Sequence, residues 1–514
     1  MKKLSLLKSS SVVGLMTLVS RVLGLIRDIV IATFFGAQGA TDAYFVAQKI
    51  PNFLRRLFAE GAFAQAFVPV LAEYKADGDQ QKVKSYINKV AGTLGGILTL
   101  VTILAVLGAG IVIAVFSPGF YLEGGEKYVL ATDMLRITFP YLFFIGLTAF
   151  CGAILNSYNQ FAVPAITPVF LNLCLIAAAM LFAPQFDVPA MALAWGIFVA
   201  GIIQLGFQLP FLWRLNLLPK PAWGFNDPGV KKTMNLMIPA LFGVSVSQIN
   251  LLLDTQIASF LETGSITWLY MSDRLLEFPL GIFGIAIATV ILPVLSSKHA
   301  EKSPEAFNAT LDWGVKVVVL VGVPAAAGLV ILAEPLMLTL FQYKNFSLAA
   351  AYQSSLSLQA YALGLLPFML IKVLAPGFFA RQNTKTPVKV GIVAMVSNMG
   401  FNLLLFIPFK HVGLAMATTL SAILNASLLF YYLKKEGVYR PVSGWLIWCS
   451  KITIALVVMV AAVSWLAPTI EWWRENGVID RVTYLSFLIA VAISLYLLAI
   501  RLLGVRLKSL TQQV

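Results

Sequence analysis

Charge is scarce in this sequence. Only 12% of its 514 residues are Asp, Glu, Lys or Arg, about half the roughly 25% of an ordinary soluble domain. So few charges cannot cover a soluble enzyme of this size, and the apolar excess excludes a disordered chain. Cysteine is almost absent. Cys151, Cys174 and Cys449 lie far apart inside apolar runs with no C-x-x-C, which excludes a disulfide scaffold and reads as small core residues. Two histidines, His299 and His411, are too few for a transition-metal centre. No P-loop, no G-x-G-x-x-G after a strand and no G-x-S-x-G is present. ATP-driven transport within the chain is therefore not expected, nor is an enzyme.

What is present is apolar: 59% of the residues are hydrophobic and the mean hydropathy is +0.86. The apolar runs are about 20 residues or longer, the length of membrane-crossing helices rather than of β-barrel strands. Fourteen segments are expected, near 10–35, 41–72, 86–116, 128–156, 161–183, 188–213, 233–260, 266–296, 309–333, 350–380, 388–409, 412–433, 445–467 and 482–504. Pro51 and Pro376 fall inside the long second and tenth segments and predict kinked helices near a cavity. The stretch 334–349 reads as a short interfacial helix. Lys2, Lys3 and Lys8 before an apolar run imitate a signal peptide, but Arg21, Arg27 and Asp28 interrupt that run and no A-x-A site follows. A retained first helix is expected.

Cations outnumber anions, 37 to 23, for a net charge of +14. With fourteen spans, the tails and even-numbered loops carry 21 cations and the odd-numbered loops carry 5. That asymmetry is a positive-inside signal and predicts cytoplasmic termini. The loop cations are dispersed, so no basic domain offers a nucleic-acid footprint. Eleven cations remain in or at the edges of spans: Arg21, Arg27, Lys49, Arg55, Arg56, Lys89, Arg136, Arg274, Lys316, Lys372 and Lys451. A charge at the bilayer centre costs about 2.5–3.5 kcal/mol on insertion scales, so the deep ones should face a cavity.

Two stretches echo each other. Phe67-Val68-Pro69-Val70-Leu71 pairs with Ile291-Leu292-Pro293-Val294-Leu295 at an offset of 224. Tyr158-Asn159-Gln160 with Pro164 pairs with Arg381-Gln382-Asn383 with Pro387 at an offset of 223. Six segments separate each pair, so the repeat is parallel. The expected fold is an all-α integral membrane protein with two six-helix lobes, 1–214 and 215–434, and a C-terminal helix pair with its tail, 435–514. Repeat-built transporters hold their cargo between such lobes near the midplane.

At 100° per residue, Ser20, Arg21, Gly24, Arg27 and Asp28 share one face of the first segment. The second adds Asp42, Lys49, Asn52, Arg55, Arg56 and Glu60. The eighth adds Asp273, Arg274 and Glu277, and the tenth adds Lys372. Internal ion pairing explains Asp133 with Arg136 and Asp312 with Lys316. Together the first, second and eighth segments carry six cations against five carboxylates, five of the cations being arginine, and guanidinium forks bind phosphate in bidentate fashion. The cargo chemistry that fits is a polyanionic head group such as a diphosphate. Asp254 in the seventh segment, Asn398 and Asn402 in the eleventh and Thr418 and Thr419 in the twelfth are oxygen donors with little charge. They suit Na⁺, or else they are hydrogen-bonded locally between helices.

These motifs resemble the MurJ/MviN family. The resemblance rests on Ser20-Arg21-Val22-Leu23-Gly24 through Arg27-Asp28, on Thr41-Asp42-Ala43 and on the long run Pro51-Asn52-Phe53-Leu54-Arg55-Arg56-Leu57-Phe58-Ala59-Glu60-Gly61. It continues through Ala153-Ile154-Leu155-Asn156, Asp273-Arg274-Leu275-Leu276-Glu277-Phe278-Pro279 and Lys372-Val373-Leu374-Ala375-Pro376-Gly377-Phe378, over essentially the whole chain. Gln342-Tyr343-Lys344-Asn345-Phe346 departs from the pattern, where Gly then Lys is expected. The resemblance implies a lipid II flippase of the multidrug/oligosaccharidyl-lipid/polysaccharide exporter superfamily. Such a protein moves undecaprenyl-diphosphate-linked disaccharide-pentapeptide from the inner to the outer leaflet of a bacterial cytoplasmic membrane for peptidoglycan synthesis. It also implies cavity arginines at Arg21, Arg27, Arg55 and Arg274 with polar companions Asp28, Asp42 and Glu277, a lipid-tail groove on the last two segments, dependence on membrane potential, and the Na⁺ site. Partners would be lipid II, the membrane and other cell-wall synthesis proteins. A flippase for another undecaprenyl-diphosphate glycan uses the same head-group logic, and a drug/cation antiporter is the alternative with a carboxylate-governed cavity.

Overall fold

The computed structural model describes residues 2–57 and 63–505, without the side chains of residues 2–13, 239–240, 242–251, 285–286 and 289. Among the described residues all regular structure is helical. Chain contacts divide it into two compact units, Met1–Thr267 and Trp268–Val514.

The first unit holds α1 (Lys2–Phe35), α2 (Gly39–Arg55), α3 (Phe63–Ala76), α4 (Gln80–Leu107), α5 (Ala109–Phe116), α6 (Pro118–Glu123), α7 (Glu126–Thr138), α8 (Tyr141–Ser157), α9 (Ala162–Ala177), α10 (Met191–Arg214) and α11 (Pro228–Ala258). Asp79 opens α4 by accepting from the amides of Gln81 and Lys82 at 2.9 and 3.2 Å. Asp227 opens α11 in the same way, with Pro228 at the first helical position. Phe63, Phe67, Tyr86 and Phe150 form the aromatic centre of the core between α3, α4 and α8. The rings of Phe63 and Phe67 stack at 5.2 Å and those of Phe67 and Tyr86 at 5.6 Å. Such pairs contribute about 0.5–1.5 kcal/mol each beyond their buried area.

The sequence places the lobe boundary at 214/215, whereas the contacts group α11 with the first unit. The reason is local. Val230 and Met237 enter the aromatic core, Thr233 bonds the Tyr86 hydroxyl at 2.7 Å, and Asp227 accepts from Lys89 at 2.6 Å.

The helix α12 (Ser265–Pro279) spans the boundary between the units. The second unit continues with α13 (Ile285–Ala300), α14 (Pro304–Ile331), α15 (Ala333–Leu340), α16 (Leu348–Ala362), α17 (Leu365–Phe379), α18 (Lys385–Lys435), α19 (Trp445–Leu466), α20 (Ile470–Glu475) and α21 (Val478–Leu502). Helix α18 is two helices. Lys410 takes φ 49°, ψ −129°, and the chain reverses so sharply that a Cβ on Gly413 would lie 2.2 Å from the Leu405 carbonyl oxygen. This reversal matches the expected break between the eleventh and twelfth segments. The stretch 334–349 contains the short α15. Gln342, in the loop that departs from the family pattern, accepts from the buried Arg481 at 2.7 Å. The guanidinium of Arg481 also donates to the carbonyls of Leu338 and Arg474. A cation assigned by sequence to an outer loop is thus a staple between α15 and α21.

Pro51 and Pro376 stand inside helices α2 and α17. The tenth segment is two helices that meet at Gly364, whose Cβ position would crowd the Thr419 hydroxyl at 2.7 Å. Nine helical stretches are long and apolar enough to cross a membrane among the described residues.

The parallel repeat shows in the turns. Left-handed residues recur at Gly78 and Lys302, 224 apart, and at Asn159 and Gln382, 223 apart. Pro69 and Pro293 stand inside α3 and α13 at the same spacing.

Candidate functional site

The face expected on α1 packs on α9. Arg27 and Asp28 are buried, at 4% and 0% exposure. The Nε and Nη2 of Arg27 donate to Asp28 Oδ1 at 2.9 and 2.7 Å, and its Nη1 donates to Asn172 Oδ1 at 2.9 Å. The Nδ2 of Asn172 donates to the Ser20 carbonyl at 3.0 Å. One amide on α9 therefore bridges two turns of α1 and sets the plane of the Arg27 guanidinium. Gly24 lies between those turns, and a Cβ there would sit 3.9 Å from Asn172. Arg21, on the same face, is half-buried and makes no hydrogen bond or ion pair among the described residues. A cation in the membrane without a carboxylate beside it is the costly case.

On α2 the roles divide. The Nε of Arg55 donates to Asn52 Oδ1 at 3.3 Å, Lys49 donates to the Thr255 hydroxyl at 3.1 Å, and Arg56 is half-buried. Asp42 serves differently from the cavity companion the sequence suggests. It is 2% exposed and accepts from the amides of Gly264 and Thr267 at 2.6 and 2.9 Å and from the Thr267 hydroxyl at 2.6 Å. It therefore caps the start of α12 from a different helix, where the helix dipole favours a carboxylate. Glu60 lies outside the described residues.

In the second unit, the Nη1 of Arg274 donates to Glu277 Oε2 at 2.8 Å, and its guanidinium lies 5.5 Å from the Tyr270 ring centre. Asp273 is half-buried beside it. Lys372 is exposed on α17, with its methylenes near Gly284. The pairs read as structural do form: Arg136 with Asp133 at 2.8 Å and Lys316 with Asp312 at 2.7 Å.

Of the proposed ion ligands, Asn398 and Asn402 are fully buried and joined, Nδ2 of Asn402 donating to Oδ1 of Asn398 at 3.0 Å. The Thr418 hydroxyl donates to Leu414 O at 3.0 Å, which leaves its oxygen lone pairs available to a cation. Asp254 belongs to the first unit and the other three to the second. Among the described residues no group of three or more His, Cys, Asp or Glu could hold a metal ion.

Sequence reasoning missed Asn172 and the Gly264–Thr267 cap. Asn172 had a visible signal: it is a lone amide in the run Val169-Phe170-Leu171-Asn172-Leu173-Cys174-Leu175. The cap had none, because its partners are about 220 residues apart in the chain.

The family profile described as "Lipid II flippase MurJ" matches residues 31–483. The chain belongs to the MurJ family of lipid II flippases. A "Probable lipid II flippase MurJ" of Haemophilus influenzae is 54% identical over 503 residues, covering 96% of this chain and 98% of the relative. A "Lipid II flippase MurJ" of Burkholderia cenocepacia is 39% identical over 486 residues, covering 93% and 94%. Among solved structures, "Lipid II flippase MurJ, inward closed conformation" superposes with a TM-score of 0.80 at 26% identity, covering 95% of this chain and 97% of that one. An inward-facing multidrug resistance MATE family transporter of the MOP superfamily matches with a TM-score of 0.70 at 12% identity, covering 81% and 94%. That likeness concerns the fold alone. The chain is a multi-pass membrane transporter of the MurJ family.

Proposed function

We infer that the chain translocates lipid II across a bacterial cytoplasmic membrane, with both termini in the cytoplasm, and that its membrane arginines hold the diphosphate. Family membership over 31–483 supports the substrate class. The observation that carries the head-group assignment is Arg21. It is a half-buried guanidinium on the face of α1 that also holds Arg27, and no carboxylate neutralises it among the described residues. A dianionic head group supplies the missing charge, and the fork of each arginine matches two phosphate oxygens. Arg21, Arg27 and Arg55 act from the first unit and Arg274 from the second. Asp28 and Glu277 hold two of these guanidiniums when cargo is absent and compete with phosphate for them, which makes release possible. Asn52, Arg56, Glu60, Asp273 and Lys372 tune the local potential. Membrane potential acts on these cations at about 2.3 kcal/mol per charge per 100 mV.

The test is complementation of a flippase-depleted strain by Arg21→Ala, Arg27→Ala and Arg274→Ala, with membrane abundance checked by immunoblot. Each variant should reach the membrane and fail to support growth, and Arg→Lys should be impaired. Full growth with all three alanine variants contradicts the assignment. Asp254, Asn398, Asn402 and Thr418 are proposed to bind Na⁺. Na⁺ should raise the melting midpoint of the wild type and leave Asp254→Asn unmoved; equal responses remove this site. Contacts with other cell-wall synthesis proteins are a further part of the proposal.

A further inference from the structure

The linker between α10 and α11 borders a half-open, largely apolar cavity of the first unit. Its walls come from α4, α8 and α10: Gly92, Gly95 and Gly96 on one side, Leu147 and Phe150 on another, Leu205 on a third. Pro219 and Pro221 of the linker border it, and Thr99 stands at its open side. Its volume is about 320 Å³. The glycines make the space. Gly95 has nothing within 4 Å of where its Cβ would be, so any ordinary side chain would fill the void rather than clash. Gly92 and Gly96 seat the linker: their Cβ positions would lie 2.2 Å from the Ala222 carbonyl oxygen and 2.9 Å from the Trp223 ring.

Gly95 stands about 9 Å along α4 from Lys89, the last charged residue of that helix, at 1.5 Å per residue, so the cavity lies where α4 turns apolar. The linker docks on α4, where Ala222 N donates to Asn88 O at 3.0 Å and Lys220 N donates to Asn88 Oδ1 at 2.7 Å. Its prolines remove further donors. The rim has a second character. Trp213 and Trp223 are 69% and 74% exposed. Arg214 and Lys220 are exposed with no acidic partner among the described residues. Lys220 stands between the two prolines that line the cavity, and exposed aromatic rings and unpaired cations suit the head-group layer of an anionic membrane.

We propose that this cavity is a phospholipid site, with one acyl chain lying against the glycine face of α4 and an anionic head group held by Arg214 and Lys220. Hydrocarbon fills a void that has no use for water, and the rim cations select the lipid by charge. The site is separate from the arginines of α1 and α12 and does not depend on their role.

The test is photolabelling of the full-length protein in nanodiscs by phosphatidylglycerol carrying a diazirine at mid-chain, with adducts mapped by peptide mass spectrometry. The wild type should show adducts concentrated in 91–99 and 143–151. Gly95→Leu should lower those adducts at least tenfold while labelling of the lipid-facing α19 and α21 is unchanged. Leu is a better helix former than Gly, so α4 should persist in this variant. Arg214→Ala with Lys220→Ala should lower them several-fold for phosphatidylglycerol and not for phosphatidylcholine. Labelling spread evenly over all lipid-facing helices, or unaffected by Gly95→Leu, overturns the site. Equal labelling by the two head groups overturns the charge selection. Displacement by a polyprenyl phosphate at lower concentration than by phosphatidylglycerol overturns the phospholipid assignment.

Discussion

Removing the carboxylate of Asp42 tests the cross-helix cap most sharply. In Asp42→Ala the amides of Gly264 and Thr267 lose their acceptor in a site that is only 2% exposed. The Thr267 hydroxyl can turn to a backbone carbonyl of its own helix, so two orphaned donors are counted. Each buried, unsatisfied donor costs about 1–3 kcal/mol, which gives about 4 kcal/mol in total. With an unfolding entropy of about 2.1 cal/mol/K per residue, a chain of 514 residues shifts by about 1 °C per kcal/mol, so the melting midpoint should fall by about 4 °C. Asp42→Asn keeps one acceptor oxygen and should lose about half as much. The assay is thermal unfolding of purified protein in one fixed detergent, followed by intrinsic tryptophan fluorescence. A midpoint within 2 °C of wild type for Asp42→Ala would refute the cap as a stabilising contact and return Asp42 to the cavity role that its sequence position suggests.

Other expectations follow from single contacts. Asn172→Leu removes the amide that fixes Arg27 and should raise the apparent Kd for a polyprenyl diphosphate several-fold in titrations of purified protein; unchanged affinity would show that Asp28 orients the guanidinium alone. Asp227 is held below the usual carboxylate range: burial pulls its pKa upward, but the Lys89 ammonium and the amides of Val230 and Gly229 outweigh it. Its stabilising effect is therefore complete above about pH 4, the unfolded value, and is lost as pH falls through the lower folded value. The stability gap between wild type and Asp227→Asn should stay constant from pH 7 to 5 and close toward pH 3; a gap unchanged at pH 3 would contradict this. Asp312→Ala leaves the Tyr439 hydroxyl and the Trp445 indole, bonded to it at 2.9 and 2.6 Å, without their acceptor. It should expose the loop ahead of α19 to limited proteolysis, and unchanged cleavage there would remove the clamp.

The helical class, the membrane-spanning character and the parallel repeat were legible because each has a periodic signal in the chain, whereas against the fourteen expected spans nine long apolar helical stretches stand among the described residues. Apolar run length gives the spans, and Pro69 with Pro293 at constant spacing gives the repeat. The arginines were legible because a cation in hydrocarbon is costly enough to need a reason. What escaped was pairing across distance. Asp42 looked like a cavity residue, yet its partners are set by tertiary packing that no local pattern encodes. Asn172 was visible as a lone amide, but only coordinates connect it to Arg27. The break of the tenth segment at Gly364 escaped because that residue is unremarkable in sequence. The unit boundary moved to Thr267 because Val230, Thr233 and Met237 pack on α3 and α4, which composition cannot reveal.

The central claim is that membrane arginines recognise a diphosphate. Titrating purified wild type, Arg21→Ala and Arg274→Lys with polyprenyl-linked diphosphate and monophosphate head groups of the same glycan tests it most directly. The wild type should prefer the diphosphate by at least tenfold, and both variants should lose most of that preference while retaining their melting midpoints. Equal affinity for the two head groups in the wild type, or an undiminished preference in both variants, would contradict it.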